Sequence, residues 1–237
     1  MLNPSKGNMY PFITHTWNTL KGKCPHDCSY CYMKRFGEQK PIRFDKSELN
    51  TDLGDGNFIF VGSSCDMWAN DILKNWVIFT LNHCNKFNNT YLYQSKNPYR
   101  FKEFRNWIPP DSVLGTTIET NRFYSTHMGN TPEPLHRAFA MSWSQFKTMV
   151  TVEPIMDFDL DELIDIIKRC NPEWVNIGAD SQGHNLPEPS GEKIQALIDN
   201  LTREGIDVKI KHNLKRLLPH PTKSALVVDE NEGKSGS

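Results

Sequence analysis

The sequence predicts an α/β fold built from parallel βα units, and three observations carry that prediction. Short apolar runs bounded by turn residues recur along the chain, as buried strands do. Between them stand stretches whose apolar residues fall three and four apart, the spacing of an amphipathic helix. The two kinds alternate, which is the pattern of βαβ units around a parallel sheet. Six units can be placed and no credible eighth.

At 237 residues the chain is long enough to bury a sizeable core in one large α/β unit. With 38% apolar and 23% charged residues it lacks the composition of a disordered chain. A net charge of −1 gives no global attraction to polyanions, although a local basic patch remains compatible with it. Six cysteines, three of them crowded into eight residues, do not make a disulfide framework at this length and point to a reducing, cytoplasmic setting. The N-terminus has no signal-like segment, and no window reaches the roughly 20 apolar residues of a membrane span. A soluble chain without a membrane partner is expected.

Taken in order, residues Met1 to Tyr10 read as irregular and Phe12–Trp17 as the first strand. A cysteine-rich loop follows, then a short helix from Cys31 that Gly37 ends. Asn57–Val61 is a buried strand, and a helix from about Asn70 to Phe87 carries Leu73, Trp76, Val77, Leu81 and Cys84 on one face. Thr90–Gln94, a basic-aromatic helix over Tyr99–Trp107, and Ser112–Ile118 come next. Then follow a helix over Glu133–Phe146 and strand Thr148–Val152. Asp159 and Glu162 are spaced as a capping box for a helix bearing Leu163, Ile164 and Ile167, which Pro172 stops. Trp174–Ile177 is the sixth strand, and Ser190 caps a helix ending at Gly205. Ile206–Ile210 reads as a peripheral seventh strand. Residues 1–223 are taken as one domain and 224–237 as a flexible tail.

The densest chemistry lies in Cys24-Pro-His-Asp-Cys28-Ser-Tyr-Cys31. Three thiolates can hold three irons of a four-iron, four-sulfur (4Fe-4S) cluster and leave the fourth iron open to a ligand with nitrogen and oxygen donors. A structural zinc site completed by His26 is the alternative, although zinc ligands come as two well-separated pairs more often than within eight residues.

This motif, with Tyr30 before the third cysteine, resembles the signature of the radical S-adenosylmethionine (radical SAM) superfamily. The resemblance implies a partial (β/α)6 barrel with helices outside, open on one side. It implies that Cys24, Cys28 and Cys31 carry the cluster and that its free iron chelates S-adenosyl-L-methionine. A reductant such as flavodoxin or ferredoxin would supply the electron that yields a 5′-deoxyadenosyl radical, and the radical takes hydrogen from a substrate. Phe60-Val-Gly-Ser-Ser-Cys-Asp66, Thr151-Val-Glu-Pro154 and Val175-Asn-Ile-Gly-Ala-Asp-Ser181 look like a phage-associated branch related to spore photoproduct lyase. For that branch a host cytoplasm is implied, together with a nucleobase or nucleotide substrate, plausibly in DNA.

Working residues of βα architectures sit on the loops after the strands, so strand ends supply the other candidates. The resemblance implies that Tyr30, Gly62, Ser63 and Ser64 bind the cofactor, that Asn176 and Gly178 present backbone to adenine, and that Cys65 donates a hydrogen atom, a small structural residue being the alternative for Cys65. Glu119 can accept from ribose hydroxyls and stands with Asn121 as a cofactor-binding candidate, while Glu153, a second carboxylate at the same end, is a catalytic candidate. Gln94, Lys96, Arg100 and Arg122 are candidate substrate contacts. Two basic groups could meet phosphates: Lys96 to Arg105 interleaved with Phe101, Phe104 and Trp107, and Lys209 to Arg216. An ordinary cationic surface explains them equally well. The competing class is a zinc-stabilised nucleic-acid-binding protein without catalysis.

Overall fold

The computed structural model describes residues 1–6, 9–218 and 226–227. Its strands are β1 (Asn3–Pro4), β2 (His15–Trp17), β3 (Leu20–Lys21), β4 (Arg43–Phe44), β5 (Phe58–Val61) and β6 (Thr90–Ser95). They continue as β7 (Ser112–Thr117), β8 (Lys147–Val152), β9 (Trp174–Ile177), β10 (Asp207–Ile210) and β11 (Leu226–Val227). The helices are α1 (Lys74–Cys84), α2 (Tyr99–Phe104), α3 (Ser125–Met128), α4 (Pro134–Met141), α5 (Leu160–Arg169) and α6 (Gly191–Arg203).

Nine strands form one sheet in the order β1-β2-β5-β6-β7-β8-β9-β10-β11. From β2 onward every pair is parallel, and β1 alone runs antiparallel at the edge. The two edges do not join, so the sheet is an open, curved α/β sheet rather than a closed barrel. Its curvature shows at Phe12, whose ring lies 5.2 Å from both Phe58 on β5 and Trp174 on β9. The N-terminal segment thus plugs the concave face: Tyr10 and Ile13 are buried with Phe60, Leu92, Val113 and Met149. Above this apolar plug the inner face turns polar, with Gln94, Thr117, Thr151 and Glu153.

The convex face is covered by helices whose buried stripes follow the sequence pattern. Val77, Leu81 and Cys84 of α1, Leu163, Ile164 and Ile167 of α5, and Ile194, Leu197, Ile198 and Leu201 of α6 all enter one core. Each fully buried aliphatic side chain contributes roughly 1.5–3 kcal/mol. Ser190 caps α6 by accepting from Lys193 N (3.3 Å), and Gly205 ends it at φ +79°. No helix among the described residues is long and apolar enough to cross a membrane.

Several expectations change. The capping box at α5 does not form: the Asp159 carboxylate is held by Arg122, and its main-chain N–H donates to Asn121 Oδ1 (2.8 Å). Ile206–Ile210 begins at Asp207 and is an integral strand, because β11 pairs with its outer side. The expected tail falls outside the described residues except for Leu226–Val227, whose backbone forms β11. The helix after Cys31 is a tight 3₁₀ turn over Tyr32–Phe36. Between β2 and β5 an excursion folds back on itself through the unforeseen β3–β4 ribbon.

Candidate active site

The cysteine loop crosses the C-terminal ends of the parallel strands and forms one wall of a cavity of about 870 Å³. Cys24, Cys28 and Cys31 all face this space, as do Tyr30, Gly62, Ser63, Ser64, Cys65, Gln94, Lys96 and Glu153. The loop is held from behind by main-chain bonds: Ser29 N donates to His127 O (2.8 Å) and Asn130 N to His26 O (2.8 Å). The turn at Gly129 makes this approach possible. Its φ is +62°, and a Cβ there would lie 2.2 Å from His26 O. Because the obstacle is backbone, Gly129→Ala is expected to displace the loop and cost about 1–3 kcal/mol, measured by urea unfolding.

A second anchor is His26 with Asp66, a pairing that the sequence, where His26 reads only as a possible zinc ligand, does not show. His26 Nε2 meets Asp66 Oδ2 at 2.9 Å, and the same oxygen accepts from Ser95 Oγ (2.9 Å) and Lys96 N (2.8 Å). Asp66 therefore ties the cysteine loop to the end of β6. Burial alone would lower the His26 pKa, but the charge and hydrogen bond of Asp66 hold it above its ordinary value of 6.5. Burial would likewise raise Asp66, and His26 brings it down. The histidine contribution is fully present below pH 6.5 and lost as pH rises through the raised value; the aspartate contribution is lost only in acid. Metal-free protein should accordingly lose thermal stability as pH rises above about 6.5 more steeply than its Asp66→Asn variant. Parallel curves would remove the pairing.

Beneath the loop lies a buried charge network. Glu119 is fully buried, accepts from Arg137 Nη1 at 2.7 Å, and is also bonded by Lys96 Nζ and by the Tyr30 hydroxyl. Burial would raise its pKa, but the Arg137 and Lys96 charges outweigh that and hold it at about 2. Glu119 thus sits behind the cavity wall and orients Lys96, which also donates to Tyr30 Oη (3.0 Å). Across the cavity Glu153 accepts from Lys211 Nζ (2.7 Å) and Asn213 Nδ2 (2.9 Å), while Tyr10 donates to Gln94 Oε1 (2.8 Å). Gly178 leaves room for Glu153, whose Oε1 would be 2.7 Å from an added Cβ.

The turn after β5 is fixed by Asn18, whose Oδ1 accepts from Ser64 N (3.0 Å), and by Tyr32, which donates to Ser63 O (2.9 Å). Cys65 lies against Cys24 in hydrogen-bond contact. That bond lowers the Cys24 thiol, and together with burial it holds Cys65 in its protonated form. The Cys28 thiol is pushed up to about 11 by burial and donates to Met128 O (3.3 Å).

Besides Glu119 and Gly178, which stand behind the cavity lining, four candidates lie away from this space. Arg100 is buried, its guanidinium bonded to Ala69 O, and with Phe101 and Phe104 in the core the expected basic-aromatic face loses its centre. Asn121 and Arg122 are engaged with Asp159, and Arg122 with Asp157 as well. Asn176 is buried on the inner face against Met149 Sδ (3.8 Å).

The donor set fits a cluster held by three thiolates. Cys24, Cys28 and Cys31 share one cavity wall, and His26, the fourth donor a zinc ion would need, has both ring nitrogens committed, Nδ1 to Asn130 O (3.1 Å). Among the described residues no three His, Cys, Asp or Glu side chains converge as on a single ion. Thiolates that each take a different iron of one cluster stand farther apart than ligands sharing one ion.

No protein-family model and no curated protein sequence matches the chain. Among solved structures it shares the fold of spore photoproduct lyase, an open α/β fold of mostly parallel strands. A tyrosine-to-phenylalanine mutant of that lyase superposes with a TM-score of 0.55 at 13% identity, covering 84% of this chain and 64% of the other. The lyase complexed with dinucleoside spore photoproduct gives 0.54 at 12%, covering 86% and 64%. A mutant with bound AdoMet and the same dinucleoside gives 0.51 at 12%, covering 83% and 63%. The chain therefore spans just under two thirds of the length of these neighbours.

Proposed function

We propose that this chain is a radical SAM enzyme that abstracts hydrogen from a nucleobase or nucleotide, in a reaction of the lyase or isomerase type. One observation carries the reading: three thiols at the radical SAM spacing face a single cavity at the strand ends of a fold shared with spore photoproduct lyase. Cys24, Cys28 and Cys31 would hold the 4Fe-4S cluster. The bound cluster, once reduced, supplies the electron that cleaves S-adenosyl-L-methionine to methionine and a 5′-deoxyadenosyl radical.

The chain's own residues position and complete this chemistry. Lys96, oriented by Glu119, presents a cation to the cofactor carboxylate, and the Gly62-Ser63-Ser64 turn offers polar groups to its amino end. Cys65 keeps its proton and faces the cavity, so its weak S–H bond is placed to return a hydrogen atom to substrate. Glu153 and Gln94 line the opposite wall, where a polar heterocycle can be hydrogen-bonded.

The test is reductive cleavage. Anaerobic protein with dithionite should convert S-adenosyl-L-methionine to 5′-deoxyadenosine, and Lys96→Met should weaken cofactor binding roughly 10- to 100-fold through the lost charge-assisted bond. If Cys65 is the donor, product formed in deuterated water carries deuterium, and Cys65→Ala cleaves the cofactor while giving aberrant product. Unlabelled product from the wild type would make Cys65 structural.

A further inference from the structure

We propose that the cationic rim around Arg35 and Phe36 is a docking surface for a nucleic-acid strand whose base enters the cavity. The inference rests on the reading above and extends it from a nucleotide to a polymer. The chain as a whole carries −1, yet from Met33 to Arg43 it holds four cations and one carboxylate, Glu38. The fold places the first part of that stretch, Met33 to Gln39 with Glu38 included, along the cavity edge, and Arg43 in β4. Lys34 and Arg35 line that edge, and Lys23 N donates to Lys40 O (2.8 Å), so the excursion brings Lys40 beside Lys23.

The charges on this rim are only partly neutralised. Lys23 and Lys34 share the single Asp27 carboxylate, at 3.0 and 2.9 Å. Arg35 and Lys40 make no ion pair among the described residues. Phe36 is 61% exposed, and the Arg35 guanidinium lies 4.7 Å from its ring centroid. An exposed ring set among cations is the combination that strand-binding proteins use, bases stacking while phosphates are neutralised. A base drawn into the cavity leaves its neighbours and their phosphates at the mouth, where these groups stand.

The experiment measures fluorescence anisotropy of a labelled oligothymidylate of about twelve nucleotides with cluster-loaded protein, between about 50 and 200 mM salt. The Arg35→Glu/Lys40→Glu variant should bind about 10- to 100-fold more weakly, with the log–log salt slope reduced by about 1.4, the value for two single-strand phosphates. Phe36→Ala should weaken binding roughly 5- to 100-fold without changing that slope. Iron content and circular dichroism report whether each variant is folded. Wild-type affinity in both variants, or no strand binding by the wild type, overturns the proposal. So does wild-type strand binding accompanied by loss of flavodoxin-driven but not dithionite-driven cleavage, which would make the rim a protein-docking face. Cleavage of S-adenosyl-L-methionine by the wild type with dithionite tests the underlying reading separately.

Discussion

Replacing Arg137 by methionine should destabilise the protein by about 3–5 kcal/mol, because it leaves the Glu119 carboxylate buried with half its compensation gone. Both side chains of this pair are fully buried, and the guanidinium also donates to Thr117 O (2.9 Å), Thr131 Oγ1 (2.7 Å) and Pro132 O (2.6 Å). Removing it therefore orphans several acceptors at once. For a chain of this length the midpoint of thermal unfolding should fall by roughly 6–20 °C. The pH dependence has a definite sign. Glu119 is held below its ordinary 4.5, at about 2, so its contribution is present above pH 4.5 and lost as pH falls toward 2. Arg137→Met should flatten that acid limb. A loss under about 1 kcal/mol would mean that Lys96 and Tyr30 suffice to hold the carboxylate.

The second large effect concerns the cysteine loop. Cys28→Ala should abolish acid-labile sulfide and cofactor cleavage together, since the remaining two thiols cannot carry the cluster. His26→Gln should keep both, because the imidazole is engaged with Asp66 and Asn130 rather than with metal. A zinc site completed by His26 would give the reverse pattern, metal lost from the histidine variant and no sulfide in any form. Since burial pushes the Cys28 thiol up to about 11, loading must release its proton, and reconstitution should be faster at pH 8.5 than at about pH 7.

The residues most legible in the sequence were those whose surroundings are local. Strands β5 to β9 are buried on both faces, so each reads as an apolar run, and the stripes of α5 and α6 report one buried side. The two-residue strands β1, β3 and β4 carry too little pattern to be seen, and Tyr10 enters the inner core only because β5 to β8 curve around it. The three cysteines were legible because their ligand chemistry is encoded in one octet. In the sequence Glu119 reads as a cofactor contact because it follows the apolar run of β7. What decides its role is Arg137, eighteen residues on, which α4 returns to the same point. Arg122 and Asn121 stand close to Glu119 in the chain, but the turn after β7 carries them to Asp159. The pairing of Asp66 with His26 gives no sequence signal: His26 reads there only as a possible zinc ligand, a carboxylate after a strand is common, and only the fold brings the two to 2.9 Å.

The most direct test of the central claim is the metal content of protein prepared and kept without oxygen. About four iron and about four sulfide per chain are expected, with 5′-deoxyadenosine formed once dithionite and S-adenosyl-L-methionine are added. One zinc per chain, no acid-labile sulfide and intact S-adenosyl-L-methionine would contradict it.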